Sequence, residues 1–251
     1  MRNAVLAGLL VGLVGCADEA ADEGGAGGAG GQPADMGMAP EGTTETFTFT
    51  ELALAQPAAL SGILNNLLTN SLNAGDIIIL VQVDGWDGNG SIVLRGGAGQ
   101  QVAGLDTPAD FADDGFTWLT EGQCAAADGS AAPCSVEISE QAGTQTGDTF
   151  TMTGGEIFIY SADLQLIIPI RSLDLSGTRT GDAIEANLTG VVTDAEAAEM
   201  RFKLSPDAPM PTDLKSLLNN FNIDPDTDLD GQPAYTFQGT FAAELITFVA
   251  P

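Results

Sequence analysis

Residues 76–94 read DIIILVQVDGWDGNGSIVL, and the fold turns on this stretch. Its first half is a nearly continuous apolar run, the pattern of a strand covered on both faces. Its middle, DGWDGNG, gathers Gly, Asp and Asn, the residues that accept the positive φ of tight turns, and SIVL at 91–94 resumes a strand. Strand, turn and strand in so short a span predict a β-hairpin.

The same pattern extends outward in both directions. TFTFTELAL at 46–54 alternates with period two and puts Phe47 and Phe49 on one face. Further strands are expected at 115–119, 135–140, 148–153, 156–161, 163–170, 172–176, 183–192 and 234–249, with Gly or Asp at nearly every junction. Strands this numerous and this short predict a mainly β fold, an antiparallel β-sandwich or partly closed β-barrel, rather than an α/β layout. Two or three short helices interrupt it. Residues 57–73 carry Leu60, Ile63, Leu64, Leu67, Leu68 and Leu72 at helical spacing, opened by Pro57 and followed by Gly75. Thr193 with Glu196 forms a capping-box pattern, and residues 212–221 repeat the amphipathic spacing with Leu214, Leu217, Leu218 and Phe221.

Composition removes whole classes of chemistry. The chain of 251 residues has no histidine, which excludes an imidazole base, Ser-His-Asp or Cys-His catalysis and His-rich metal sites. Lys and Arg number 7 against 35 Asp and Glu, for a net charge of -28. Such a surface cannot neutralise a polyanion, so no nucleic acid partner is expected. Acids spread over the whole chain with so few lysines fit a surface adapted to salty surroundings, where counter-ions screen the self-repulsion.

At the amino terminus Arg2 precedes an apolar run from Ala4 to Val14 that ends in Leu13-Val14-Gly15-Cys16. The run is too short to span a hydrocarbon core, which takes about 20 helical residues, and reads as a cleavable segment. The string LVGC resembles the lipobox of bacterial lipoprotein signal peptides. That resemblance implies that Cys16 receives a diacylglycerol and becomes the mature N-terminus. It also implies, with Ala17 in place of an inner-membrane retention aspartate, placement in the outer membrane or at the cell surface. Residues 17–43 then turn Gly-, Ala- and acid-rich, with no base, and cannot bury enough apolar surface to offset their ordering entropy. A disordered tether is expected, with a root-mean-square reach of roughly 30 Å. The resulting organisation is a signal peptide at 1–15, a tether at 16–45 and a single extracytoplasmic domain at 46–251.

Within that domain Cys124 and Cys134 stand in CAAADGSAAPC. In an oxidising compartment they are expected to form a structural disulfide worth roughly 2–3 kcal/mol, since CxxC redox spacing is absent. The candidate metal site is DPDTDLDGQPAY at 224–235. Asp226, Asp228, Asp230 and Gly231 match the first, third, fifth and sixth positions of a calcium loop, with Gln232 offering its carbonyl. The pattern resembles the DxDxDG loops of extracellular bacterial calcium-binding segments, but Phe237 stands where an EF-hand has its bidentate Glu, leaving Asp224 as a substitute ligand. Structural Ca2+ is therefore the expected cofactor.

The sequence gives no nucleophile–base pair, and the chain is expected not to be an enzyme. A glycoside hydrolase needs only two carboxylates, and Glu137 with Glu156 is one such pair. Trp86, Trp118, Tyr160 and Tyr235 could offer stacking faces to a polysaccharide, although core packing accounts for them as well. The run IFIYSADLQLIIPI at 157–170 could line a site for lipid or another apolar ligand. The leading expectation is a lipid-anchored binding or structural component of the envelope. Its expected contacts are the membrane, through the N-terminal lipid, and a protein, polysaccharide or apolar ligand.

Overall fold

The computed structural model describes residues 43–102, 115–119, 139–161, 166–204 and 211–249. Strand β1 (Thr43–Gln56) leads into helix α1 (Ala58–Ala74), and β2 (Ile79–Trp86) and β3 (Asn89–Gln101) form the hairpin expected at 76–94. Strands β4 (Gly115–Trp118), β5 (Ser139–Thr146), β6 (Thr149–Ser161), β7 (Leu166–Thr180) and β8 (Ala183–Thr193) follow. Then come α2 (Asp194–Glu199), β9 (Arg201–Phe202), β10 (Thr212–Asp213) and α3 (Leu214–Asn220), and last β11 (Thr227–Leu229), β12 (Gln232–Leu245) and β13 (Thr247–Phe248).

Eight of these strands close into an antiparallel barrel. β1, β2, β3, β5, β6, β7, β8 and β12 each pair with the next in that order, and β12 returns to β1. Of the two architectures open from the sequence, the barrel is the one formed, and closure removes the exposed edges a sandwich would keep. β8 shows the alternation that builds it. Ile184, Ala186 and Leu188 are buried in the interior, while Glu185 and Asn187 are exposed outside. Apolar-in and polar-out is the reverse of a lipid-embedded barrel, so this wall is made to face water.

The up-and-down order places unlike structures at the two ends. Two-residue turns at 87–88, 147–148 and 181–182 lie at one end, together with the start of β1. Trp86, Phe150, Phe47 and the Glu45–Arg179 ion pair fill it. All the helices of the described residues lie at the other end. Leu60, Leu64, Leu68 and Leu72 of α1 are buried one turn apart in the main core, and Leu214, Leu217 and Leu218 of α3 join them. Asn65 fastens α1 to the barrel wall, accepting from the Leu54 amide at 2.7 Å and donating to the Leu54 carbonyl at 3.0 Å, where a bulge interrupts β1.

The apolar run of β2 is covered on both faces, as expected, but by two different cores. Ile77, Ile79, Val81 and Val83 belong to the interior. Ile78 and Leu80 lie on the outer side, under Phe116 and Trp118 of β4, and Ile246 and Phe248 pack on that cluster. Other boundaries shift. The strands expected at 148–153 and 156–161 are one strand, β6, and those at 163–170 and 172–176 are one, β7. Paired irregularities near Gly154 (φ 76) and Ser172 (φ 46) kink both without breaking their pairing. Of the strand expected at 135–140, residues 135–138 lie outside the described residues, and 139–140 open β5, which runs on over Ser139–Thr146. Its inward residues are Gly143 and Gln145 rather than apolar ones, so hydrophobic periodicity does not reveal it.

Candidate functional site

Among the described residues, apolar side chains fill the barrel interior. A recess at the helical end is lined by Leu54, Leu64, Leu68, Ile168, Phe202 and Phe237, among others, and holds about 20 Å³, room for about one water molecule. A second void, under β3, β5 and β6, is equally small. The 157–170 run contributes Ile157, Ile159, Ile168 and Ile170 to this packed interior.

The aspartate-rich segment is a hairpin. Thr227, Asp228 and Leu229 of β11 pair with Ala234, Pro233 and Gln232 of β12, and the two-residue turn between them is Asp230-Gly231. Both turn residues have positive φ, 53° and 83°, the geometry for which Asp-Gly is selected. Asp228 Oδ1 accepts the Gly231 amide at 2.8 Å, and Asp226 Oδ1 accepts the Thr236 amide at 2.8 Å. Asp224 and Asp226 are exposed in the irregular stretch that leads into β11, Asp228 is exposed within it, and Gln232 opens the return strand. Among the described residues no group of three or more acidic or thiol side chains is placed to hold a metal ion.

The other expected site residues are scattered. Trp86, Trp118 and Tyr235 are buried, so their ring faces serve packing, Trp86 against Phe150 and Trp118 against Phe248. Tyr160 is half-buried. Glu156 is ion-paired with Arg171 on the outer wall, while Glu137 lies outside the described residues. Cys16, Cys124 and Cys134 also lie outside them.

A polar network fastens α2 to the wall and to α3. The capping box forms as its spacing predicts, with Thr193 Oγ1 accepting from the Glu196 amide and Glu196 Oε2 accepting from the Thr193 amide. Arg171 bonds Glu196 at 2.9 Å and also pairs with Glu156. Burial acts to raise the Glu196 pKa, but the Thr193 bonds and Arg171 outweigh it and hold the carboxyl below its usual value. Asp194 is likewise held low, chiefly by the Lys215 ammonium at 2.5 Å and also by the Tyr235 hydroxyl at 2.8 Å. Burial and the same Asp194 bond push Tyr235 up to about 12. A tyrosine so held is a hydrogen-bond donor, not a nucleophile, and the cluster reads as a fastening.

A wide concavity lies on the outer wall where β1, β12, β8 and β7 run side by side. It holds about 420 Å³ and is lined by Glu51, Thr178, Glu185, Asn187, Thr240 and Ala242, among others. The register explains it. Glu51 pairs with Ala242, and Ala242 with Glu185, so two carboxylates flank one methyl group in a single row across three strands. This row was not apparent in the sequence, because its members are nearly two hundred residues apart along the chain.

Fold and surface together define a closed, water-facing, up-and-down antiparallel barrel of eight strands with a packed interior and a helical cap at one end. Comparison with known proteins returns no matching family model, no matching curated protein and no matching solved structure.

Proposed function

We propose that this chain is a lipid-anchored, extracytoplasmic binding module that meets its partner with the outside of the barrel. The observation that carries the reading is the contrast in free volume: about 20 Å³ at the capped mouth against about 420 Å³ on the outer wall. A carrier needs an enclosed chamber, commonly some 300 Å³ or more, and the two recesses described in the barrel interior hold about 20 Å³ each. A stacking platform for sugar needs exposed rings, and both tryptophans are buried. Calcium is left out of the proposal: Asp226 and Asp228 each place one carboxylate oxygen on an amide of their own hairpin, and among the described residues no three acidic side chains converge.

The anchor rests on the LVGC string and Cys16. Thr43, the first described residue, begins β1 at the turn end, so a chain leading from Cys16 joins the barrel there. Cell fractionation tests the anchor: Cys16→Ser should move the protein from the membrane to the soluble fraction. An unchanged membrane fraction would reject the lipoprotein reading.

A further inference from the structure

We propose that the groove on the outer wall receives a cationic side chain, lysine or arginine, from an extended basic segment of a partner protein. The proposal deepens the reading of an exterior-binding module and rests on it. Strands lie about 4.8 Å apart, so the two outer members of the Glu51–Ala242–Glu185 row have backbones roughly 10 Å apart. The methyl of Ala242 leaves the space between them open. An ammonium or guanidinium head placed over it would meet both carboxylates.

The charge pattern selects that occupant. Arg95, Arg171, Arg179 and Lys215 are each committed to carboxylates elsewhere. Among the described residues, neither Glu51 nor Glu185 has an ion pair, and no basic residue lines the groove. Two like charges facing each other across a cleft repel, and a cation between them relieves the repulsion. Thr178, Asn187 and Thr240 supply neutral acceptors for the remaining N–H groups. A net charge of -28 would steer a basic segment toward the barrel and speed encounter.

Fluorescence anisotropy of labelled hexalysine, titrated with the full chain in 150 mM NaCl, provides the test. The paired substitution Glu51→Gln with Glu185→Gln should weaken binding at least tenfold. Asp182→Asn with Glu199→Gln, which removes the same charge from exposed sites elsewhere, should weaken it less than twofold. Equal weakening by the two pairs, or no binding by the native chain, would overturn the proposal. Ala242→Leu keeps the charge but fills the floor and should also weaken binding about tenfold, with thermal melting used to confirm the fold. Native affinity in that variant would likewise overturn it. Cys16→Ser fractionation bears on the anchor alone, so the two failures are separable.

Discussion

The guanidinium of Arg179, near the end of β7, lies over the indole of Trp86, at the end of β2, 5.4 Å from the ring centroid. The same guanidinium sits 5.9 Å from the Phe47 ring, donates from Nη2 to Glu45 Oε1 at 2.9 Å, and holds Nη1 in an ion pair 2.5 Å from Glu45 Oε2, which has no hydrogen-bond donor of its own among the described residues. β7 and β2 do not pair, so this contact crosses the barrel and closes its turn end. Arg179→Ala would leave the Glu45 carboxylate largely desolvated with no cation. The cost should be on the order of 2 kcal/mol, below the full cost of a wholly buried pair because about a fifth of each side chain remains exposed. Urea melts of Arg179→Ala, Glu45→Gln and the double variant would check it, the double losing less than the sum of the singles.

At the other end, stability of the helical cap should depend on pH in two separate windows. Asp194 and Glu196 have folded pKa values below their ordinary 3.8 and 4.5, so their contribution is complete above those values. It is lost as the pH falls through the depressed folded values. Tyr235 has its folded value raised from 10.0 to about 12, so its contribution is complete below 10 and lost as the pH rises toward 12. Protection of the α2 and α3 amides, measured as exchange relative to the intrinsic rate at each pH, should fall below pH 4 and above pH 10 and stay level between, and Tyr235→Phe should remove the alkaline change. A flat profile at both extremes would defeat this account.

The turn at Asp230-Gly231 yields a local prediction. Gly231 has φ 83° and open space where a Cβ would stand, so Gly231→Ala suffers backbone strain without a clash. About 1–2 kcal/mol is expected. Asp228→Ala removes the acceptor of the Gly231 amide and should cost about 1 kcal/mol. Both are readable as shifts in thermal midpoint, and a Gly231→Ala midpoint equal to the native one would show that the turn relaxes to another type.

Much of the barrel was legible because its signals are local. The D-G turn after Trp86, the leucines of α1 and the Thr193–Glu196 box act within a few residues, and each forms where the spacing predicts. The run of β5 past residue 140 has no apolar signal, because its inward positions serve neighbours instead of a hydrophobic pattern. A Cβ on Gly143 would stand 2.6 Å from the Leu94 side chain, and Gln145 donates to the Gly85 carbonyl and to Asp87, both at 2.8 Å. The aspartates at 224–230 illustrate an ambiguity: period-two acids ending in Asp-Gly describe a calcium loop and an exposed hairpin equally well in one dimension. The Glu51–Ala242–Glu185 row had no local signal at all, since strand register alone creates it.

The acidity leads to the last prediction. Among the described residues six ion pairs involve only four bases, so most carboxylates find no cation within the protein. A closed barrel holds them on a fixed surface, where their repulsion opposes folding more than it does in an expanded chain. Screening acts over a Debye length of about 30 Å at 0.01 M salt and about 3 Å at 1 M, a range that spans the dimensions of a small barrel. Added NaCl should therefore raise the midpoint of unfolding steeply at low ionic strength and level off toward 1 M. Pairs such as Arg95–Glu140, half exposed, weaken over the same range and set the opposite slope. With 35 acids against 7 bases the repulsive sum dominates, and a midpoint that falls as salt is added would show that the paired residues outweigh it.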